Sequence, residues 1–272
     1  MRAASRSVAA FVFLIWPSVA AAQLSDAEAA FQRGLQLERA GSYVDAARMY
    51  LRAAQQGHQE AREQFGQVAH KLTFSTEGAE AVAVLRQGAE FGIAVAQHNL
   101  AYAYLEGKYV PADPSQAIHW MRRAAEHQDA SQLVLGDWYE KGQRGVPQSY
   151  TEALKWYRLA ADRGNRVAQL SLGWMYKDGN GVTADCSEAA GWFLKSAELG
   201  HWLAMNELGR LYETGCGVPK DAFQAYIWYL LSVDYGYPDA KAAADRLEGR
   251  LTTTQRLSAR IRAAAWKKAH PE

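Results

Sequence analysis

The chain has 272 residues, 49% of them hydrophobic and 22% charged, with 30 Lys and Arg set against 29 Asp and Glu. Such a composition supplies a continuous apolar core and excludes a long disordered polymer. A near-zero net charge removes the broad attraction that draws basic proteins to nucleic acid or to an anionic membrane surface.

The first segment carries Arg2 and Arg6 ahead of an apolar stretch from Val8 to Val19, then Ala20, Ala21 and Ala22. This layout predicts an export leader over 1–22, cleaved after Ala22, and hence a periplasmic or secreted protein. The apolar stretch is too short to cross a bilayer comfortably, and no cysteine follows the expected cleavage point to carry a lipid. Losing Arg2 and Arg6 leaves 28 basic residues against 29 acidic ones.

From there to the C-terminus a small residue returns at a nearly constant interval: Ala61, Ala96, Ser131, Ala168, Ala204 and Ala240, in steps of 35, 35, 37, 36 and 36. A period of that size predicts stacked helix pairs. Residues 23–95 read as divergent helical units: Ala29 to Gln56 keeps Met49, Tyr50, Ala53 and Ala54 around a short turn at Gly41, and Ala61 to Gly92 has Val84 and Leu85 where aromatics stand elsewhere.

Residues 96–240 hold the regular units. A first helix reads Leu172-Gly173-Trp174-Met175-Tyr176, and again Leu208-Gly209-Arg210-Leu211-Tyr212, Leu135-Gly136-Asp137-Trp138-Tyr139 and Leu100-Ala101-Tyr102-Ala103-Tyr104. Leu and Tyr four apart share a helical face, and the small residue beside Leu admits a close neighbour. Gly107, Gly142, Gly179 and Gly215 are the expected helix stops. Loops such as Gly179-Asn180-Gly181-Val182 and Gly215-Cys216-Gly217-Val218 follow, with Gly107-Lys108-Tyr109-Val110 and Gly142-Gln143-Arg144-Gly145-Val146 as looser versions, and then Pro111, Pro147 and Pro219.

A second helix follows as Ala153-x-x-Trp156-Tyr157-x-x-Ala160-Ala161, with counterparts at Trp120, Trp192 and Trp228. Its small residues are holes for bulky knobs on the facing helix. The turn Glu126 to Asp129 lacks the glycine found at Gly164 and Gly200, which predicts a local change of twist around the Ser131 unit. Residues 241–272 read as a helical cap, with Thr254 or a neighbouring Thr opening its last helix.

These motifs, LG-x-x-Y-x-x-G-x-GV followed by A-x-x-W-[YF]-x-x-AA and a closing Gly-[His/Asn]-x-x-Ala, resemble the Sel1-like repeat family, relatives of the tetratricopeptide repeats, most closely from Ala96 to Ala240. The resemblance implies an all-α, right-handed α-solenoid of stacked antiparallel helix pairs, with about six repeats and the terminal cap. It also implies a groove lined by first helices that grips a protein or peptide partner, in place of catalysis. Packed as in that family, the groove presents His98, Tyr102, Leu105, Asp137, Glu140, Trp174, Lys177, Asn206, Arg210 and Glu213, with Trp174 facing either the groove or the core. The implied role is a scaffold in the cell envelope, acting in signalling, polysaccharide production or secretion. A binder of peptidoglycan or muropeptides, with or without β-lactamase-like hydrolysis, is the alternative.

No catalytic signature of the Gly-x-Ser-x-Gly, Ser-x-x-Lys, His-Glu-x-x-His or phosphate-loop type occurs. Seven histidines are present. His98, His119 and His127 share one repeat, but none makes a metal-binding His-x-x-x-His pair, so no metal and no cofactor is expected. His58 and His201 take the turn position held elsewhere by Asn165. Only Cys186 and Cys216 occur. Cys186 opens one second helix and Cys216 lies in the loop of the next repeat, so stacking brings them side by side. A disulfide and two free thiols both stand open, decided by whether the α-carbons lie within roughly 4.4–6.8 Å.

Overall fold

A computed structural model describes residues 12–72, 78–143 and 145–270, with side chains from residue 26 onward. Of the expected leader, residues 1–11 lie outside the described residues, as does Arg144 of the expected loop. The described residues hold fourteen helices and no strand, arranged as an α-solenoid of consecutive helix pairs. None of those helices is long and apolar enough to cross a membrane. The chain divides into two units, 1–128 and 129–272, and the division falls in the glycine-free turn that follows Glu126.

The first unit contains α1 (Val12–Arg39), α2 (Tyr43–Gln55), α3 (Gln59–Leu72), α4 (Gly78–Glu90), α5 (Ala94–Glu106) and α6 (Pro114–Ala125). Within it α1 packs extensively against α2 and α5 against α6, whereas α3 and α4 touch only slightly. The second unit contains α7 (Asp129–Lys141), α8 (Tyr150–Asp162), α9 (Arg166–Asp178), α10 (Cys186–Glu198), α11 (Trp202–Thr214), α12 (Ala222–Asp234), α13 (Ala240–Glu248) and α14 (Thr253–Ala269). Here α7 pairs with α8, α9 with α10, and α11 with α12, while α13 and α14 both close on α12. Trp266 of α14 meets Trp228 of α12 edge-on, with ring centres 4.9 Å apart.

The second helices α6, α8, α10 and α12 begin where a short polar side chain satisfies orphan N–H groups of the first turn, whereas Ser42 before α2 makes no such bond. Asp113 accepts from Ser115 and Gln116, Asp185 from Ser187 and Glu188, and Asp221 from Phe223 and Gln224, while Ser149 accepts from Glu152. The last helix is opened by Thr252, in a reciprocal pair with Gln255. At the first helices Asn165 accepts from Val167 and Ala168 and His58 accepts from Ala61 through Nδ1, whereas His201 occupies the cap position without such a bond. The turn role shared by these three residues is thus chemical in two of them. Gly107, Gly179 and Gly215 end their helices in the left-handed conformation expected of them.

The register residues form the spine of the core. Ala61, Ala96, Ser131, Ala168 and Ala204 are wholly buried, and Ala240 nearly so. Beside them the first-helix glycines receive an aromatic ring from the second helix: Tyr50 on Gly34, Tyr157 on Gly136, Phe193 on Gly173 and Tyr229 on Gly209. Where that ring is tyrosine, its hydroxyl donates to a glutamate one turn further along the first helix. Tyr50 reaches Glu38 at 2.7 Å, Tyr157 reaches Glu140 at 2.6 Å and Tyr229 reaches Glu213 at 3.0 Å. Burial, then the neighbouring carboxylate, pushes all three phenols well above their ordinary range, so they stay protonated donors.

This packing makes two glycines of α10 and α11 opposite in effect. A Cβ at Gly209 would stand 2.7 Å from Cδ1 of Tyr229, whereas a Cβ at Gly191 meets nothing within 4 Å. Gly209→Ala is expected to lower stability by about 1–2 kcal/mol, overpacking outweighing the better helix propensity. Gly191→Ala should raise it by about 0.5–1 kcal/mol. Urea unfolding midpoints of the two variants check both signs.

Candidate functional site

In the second unit, α9 and α11 are consecutive first helices whose outward residues lie on one surface. Glu207 of α11 sits between two cations from this face. Its side chain is only 6% exposed, yet it takes the Lys177 ammonium at 2.9 Å through one oxygen and the Arg210 guanidinium at 3.2 Å through the other. A carboxylate so deeply buried requires such partners, because an unpaired charge in that setting costs several kcal/mol, on the order of 3–5. Arg210 remains 61% exposed and Lys177 23% exposed. The surface therefore carries two cations held in fixed geometry by one carboxylate, with a net positive charge available to a ligand.

The other expected groove residues of this unit are placed as follows. Trp174 is half-buried and packs with one side against the hydrophobic core, so it belongs in part to each of its two expected settings. Asn206 is half-buried beside Glu207. Glu213 accepts from Tyr229 and from Arg246 at 2.7 Å, Glu140 accepts from Tyr157, and Asp137 pairs with Lys141 at 2.5 Å. Each of these three acidic side chains is held by a partner of its own, Asp137 at the surface and Glu140 and Glu213 partly buried.

In the first unit α5 presents His98 and Tyr102, with ring centres 5.2 Å apart, while Leu105 is buried. His98 is pressed down to a pKa of about 4, first by burial and then by His70. It is therefore neutral near pH 7. His119 instead lies edge-on against Trp120 at 5.0 Å. Among the described residues no three His, Cys, Asp or Glu side chains converge as metal ligands.

Cys186 and Cys216 face one another and are joined, with α-carbons 5.5 Å apart. The cause is visible in the glycines. The loop after α11 lies directly on the first residues of α10, so close that a Cβ at Gly217 would collide with the backbone of Cys186, and Ser187 Oγ donates to the Gly217 carbonyl at 3.3 Å. The preceding repeat repeats the contact between Gly181 and Tyr150.

Glu207 was not among the residues the sequence singled out, and neither was the tyrosine–glutamate pairing. The signal for Glu207 was its spacing, three residues before Arg210 and on the same helical face.

The Sel1 repeat, as a family, matches residues 18–58, 94–129, 130–165, 166–201 and 202–236, leaving 59–93 with α3 and α4 unmatched. The chain is similar to a Sel1 repeat protein from Oxalobacter formigenes of known crystal structure, at 30% identity, over 76% of this chain and 85% of that one, with a TM-score of 0.63. It shares its fold with a protective antigen present in uropathogenic Escherichia coli strains, described as displaying an SLR fold, at 24% identity over 92% of this chain and 62% of the other, with a TM-score of 0.52. No curated protein matches.

Proposed function

The chain belongs to the Sel1 repeat family, and from that footing we propose that it is an exported, non-enzymatic adaptor that holds a protein or peptide partner in the cell envelope and there regulates signalling, polysaccharide production or secretion. Sel1 repeat proteins are generally protein-interaction scaffolds and typically not catalysts. The observation that carries the reading is the pair of cations clamped on Glu207. Lys177 and Arg210 come from successive first helices, and rigid positioning removes much of the side-chain entropy that a partner would otherwise have to immobilise. Arg210 of α11 and the half-buried Trp174 of α9 are of residue types enriched among those that dominate binding energy at protein interfaces. An acidic segment of the partner suits this face, since its carboxylate can take the guanidinium donors that Glu207 leaves over.

Export rests on the leader-like start of the chain, Arg2 and Arg6 before the apolar run, and the Cys186–Cys216 disulfide is in keeping with an oxidising compartment. The test uses the mature protein as bait in envelope extract, followed by purification of the recovered protein and direct titration. Arg210→Ala is expected to weaken that titrated affinity by about tenfold or more, the scale of a central arginine contact. Equal affinity of the variant removes this face from the reading. Sedimentation with purified peptidoglycan, untouched by Arg210→Ala, would replace the adaptor with a cell-wall binder.

A further inference from the structure

The first unit contains a cavity of about 330 Å³ between α3, α4, α5 and the loop after α5, lined by Leu72, Val82, Leu85, His70, Asn99 and Tyr109 among others. We propose that this cavity is the pocket for one uncharged apolar side chain of a partner peptide, with the Asn99 amide hydrogen-bonded to the peptide carbonyl beside it. The proposal rests on the peptide-binding reading above and deepens it, by naming the chemistry of an anchor residue.

Asn99 is the first reason. Only 5% of it is exposed, it lines the cavity, and its Nδ2 has no hydrogen-bond partner. Buried amide donors are nearly always paired, and the enclosed Nδ2 of a residue that lines a cavity has no acceptor where it stands, which points to an acceptor brought in from outside. Half a turn of the amide presents that donor to the cavity with no change of shape. The equivalent position in α11 is Glu207, and the position equivalent to His70 is Lys177. The place closed by an ion pair in the second unit is thus left open in the first, with Asn99 and His70 where Glu207 and Lys177 stand.

Tyr109 is the second. Its φ of +62° makes it the one non-glycine residue in the left-handed region among the described residues, at the loop position filled by Gly145, Gly181 and Gly217 in later repeats. Such a conformation is disfavoured for an aromatic residue and persists where something else requires it. Opposite it the bulk is exchanged: the first residue of α4 is Gly78, and a Cβ there would run into the Tyr109 ring. The exchange sets an aromatic wall on the cavity.

Size and charge choose the occupant. A volume near the low end of the range of about 300–1,000 Å³ for small-ligand sites admits a single side chain with its flanking peptide group and excludes a helix. Leu72, Val82, Leu85 and Ala103 supply the apolar part of the lining, and its one acidic and one basic residue, Glu106 and Lys108, cancel in net charge. Nothing in that set attracts a charged side chain.

The test is a titration of the isotope-labelled mature protein with N-acetylphenylalaninamide, N-acetylleucinamide and N-acetylaspartamide, read in the Asn99 side-chain amide and His98 ring resonances. The neutral apolar probes are expected to shift both resonances saturably, and the aspartyl probe to leave them unmoved. Asn99→Leu should weaken binding of the apolar probes by about tenfold, as loss of one buried hydrogen bond does, while melting no lower than the parent. Val82→Trp, which fills the cavity, should abolish binding. Absence of shifts from the apolar probes, an equal response to the aspartyl probe, or unchanged affinity in Asn99→Leu would each overturn the proposal. Probe binding in a protein that captures no partner through Arg210 would remove the adaptor reading alone.

Discussion

Replacing both cysteines, as Cys186→Ser with Cys216→Ser, lowers the unfolding free energy by roughly 3–4 kcal/mol in the expected outcome. The crosslink closes a loop whose ends lie 30 residues apart, and the lost chain entropy of a loop of that length in the unfolded state has this size. The native packing around the bond should survive its removal, because the Gly217 loop already rests on the start of α10 in the same way as Gly181 rests on Tyr150, where no sulfur is present. Urea midpoints of the parent, the double variant and the parent with reductant give the measurement. Reductant should bring the parent down to the double variant and leave the latter unmoved. Coincident midpoints for all three would show that the bond contributes nothing.

Acidification supplies the second large effect. His98 titrates near 6.5 when free and at about 4 in the folded protein. Between those values the unfolded chain takes up a proton that the folded protein refuses. Stability attributable to His98 is therefore complete above about pH 6.5, falls as the pH drops, and levels off below about pH 4. The whole loss amounts to ~3 kcal/mol, most of it reached by pH 4.5. His70 from α3, Glu106 and Tyr102 from α5, and Lys108 and Tyr109 from the following loop share its cavity. His201, depressed by burial and by Arg166, adds a change of the same sign. His98→Phe should flatten the difference between midpoints measured at pH 7.5 and pH 4.5 by most of that amount. A variant whose midpoints fall as steeply as the parent's would contradict it.

The repeat step was legible because close packing at a helix crossing tolerates only one size of side chain. Ala61, Ala96, Ser131, Ala168, Ala204 and Ala240 all lie in the spine of the core for that reason. The helix stops at Gly107, Gly179 and Gly215 were legible because the left-handed turn excludes most other residues. At the surface the constraint relaxes. Asn206 and Glu207 are neighbours in sequence, and a small rotation of α11 decides which of them turns inward, so the Glu207–Arg210 spacing marks the pair without saying that the carboxylate is buried. Glu140 and Glu213 show the same limit: their position on the first-helix face was readable, but not that a tyrosine from the partner helix holds each of them. Tyr109 broke the pattern of glycine in its loop, and a departure from a repeat signals that something is different without saying what fills the space.

Gly217 sits so near the backbone of Cys186 that the loop of one hairpin acts as a latch over the start of the second helix of the hairpin before it. In a one-dimensional stack, melting usually starts as fraying at either end and travels inward. Here the sulfur bridge rivets α10 to the loop after α11, so the front arriving from α14 must stop there or carry α9 through α12 away together. Amide protons in those four helices should accordingly exchange as one slow block, and outlast every other part of the second unit.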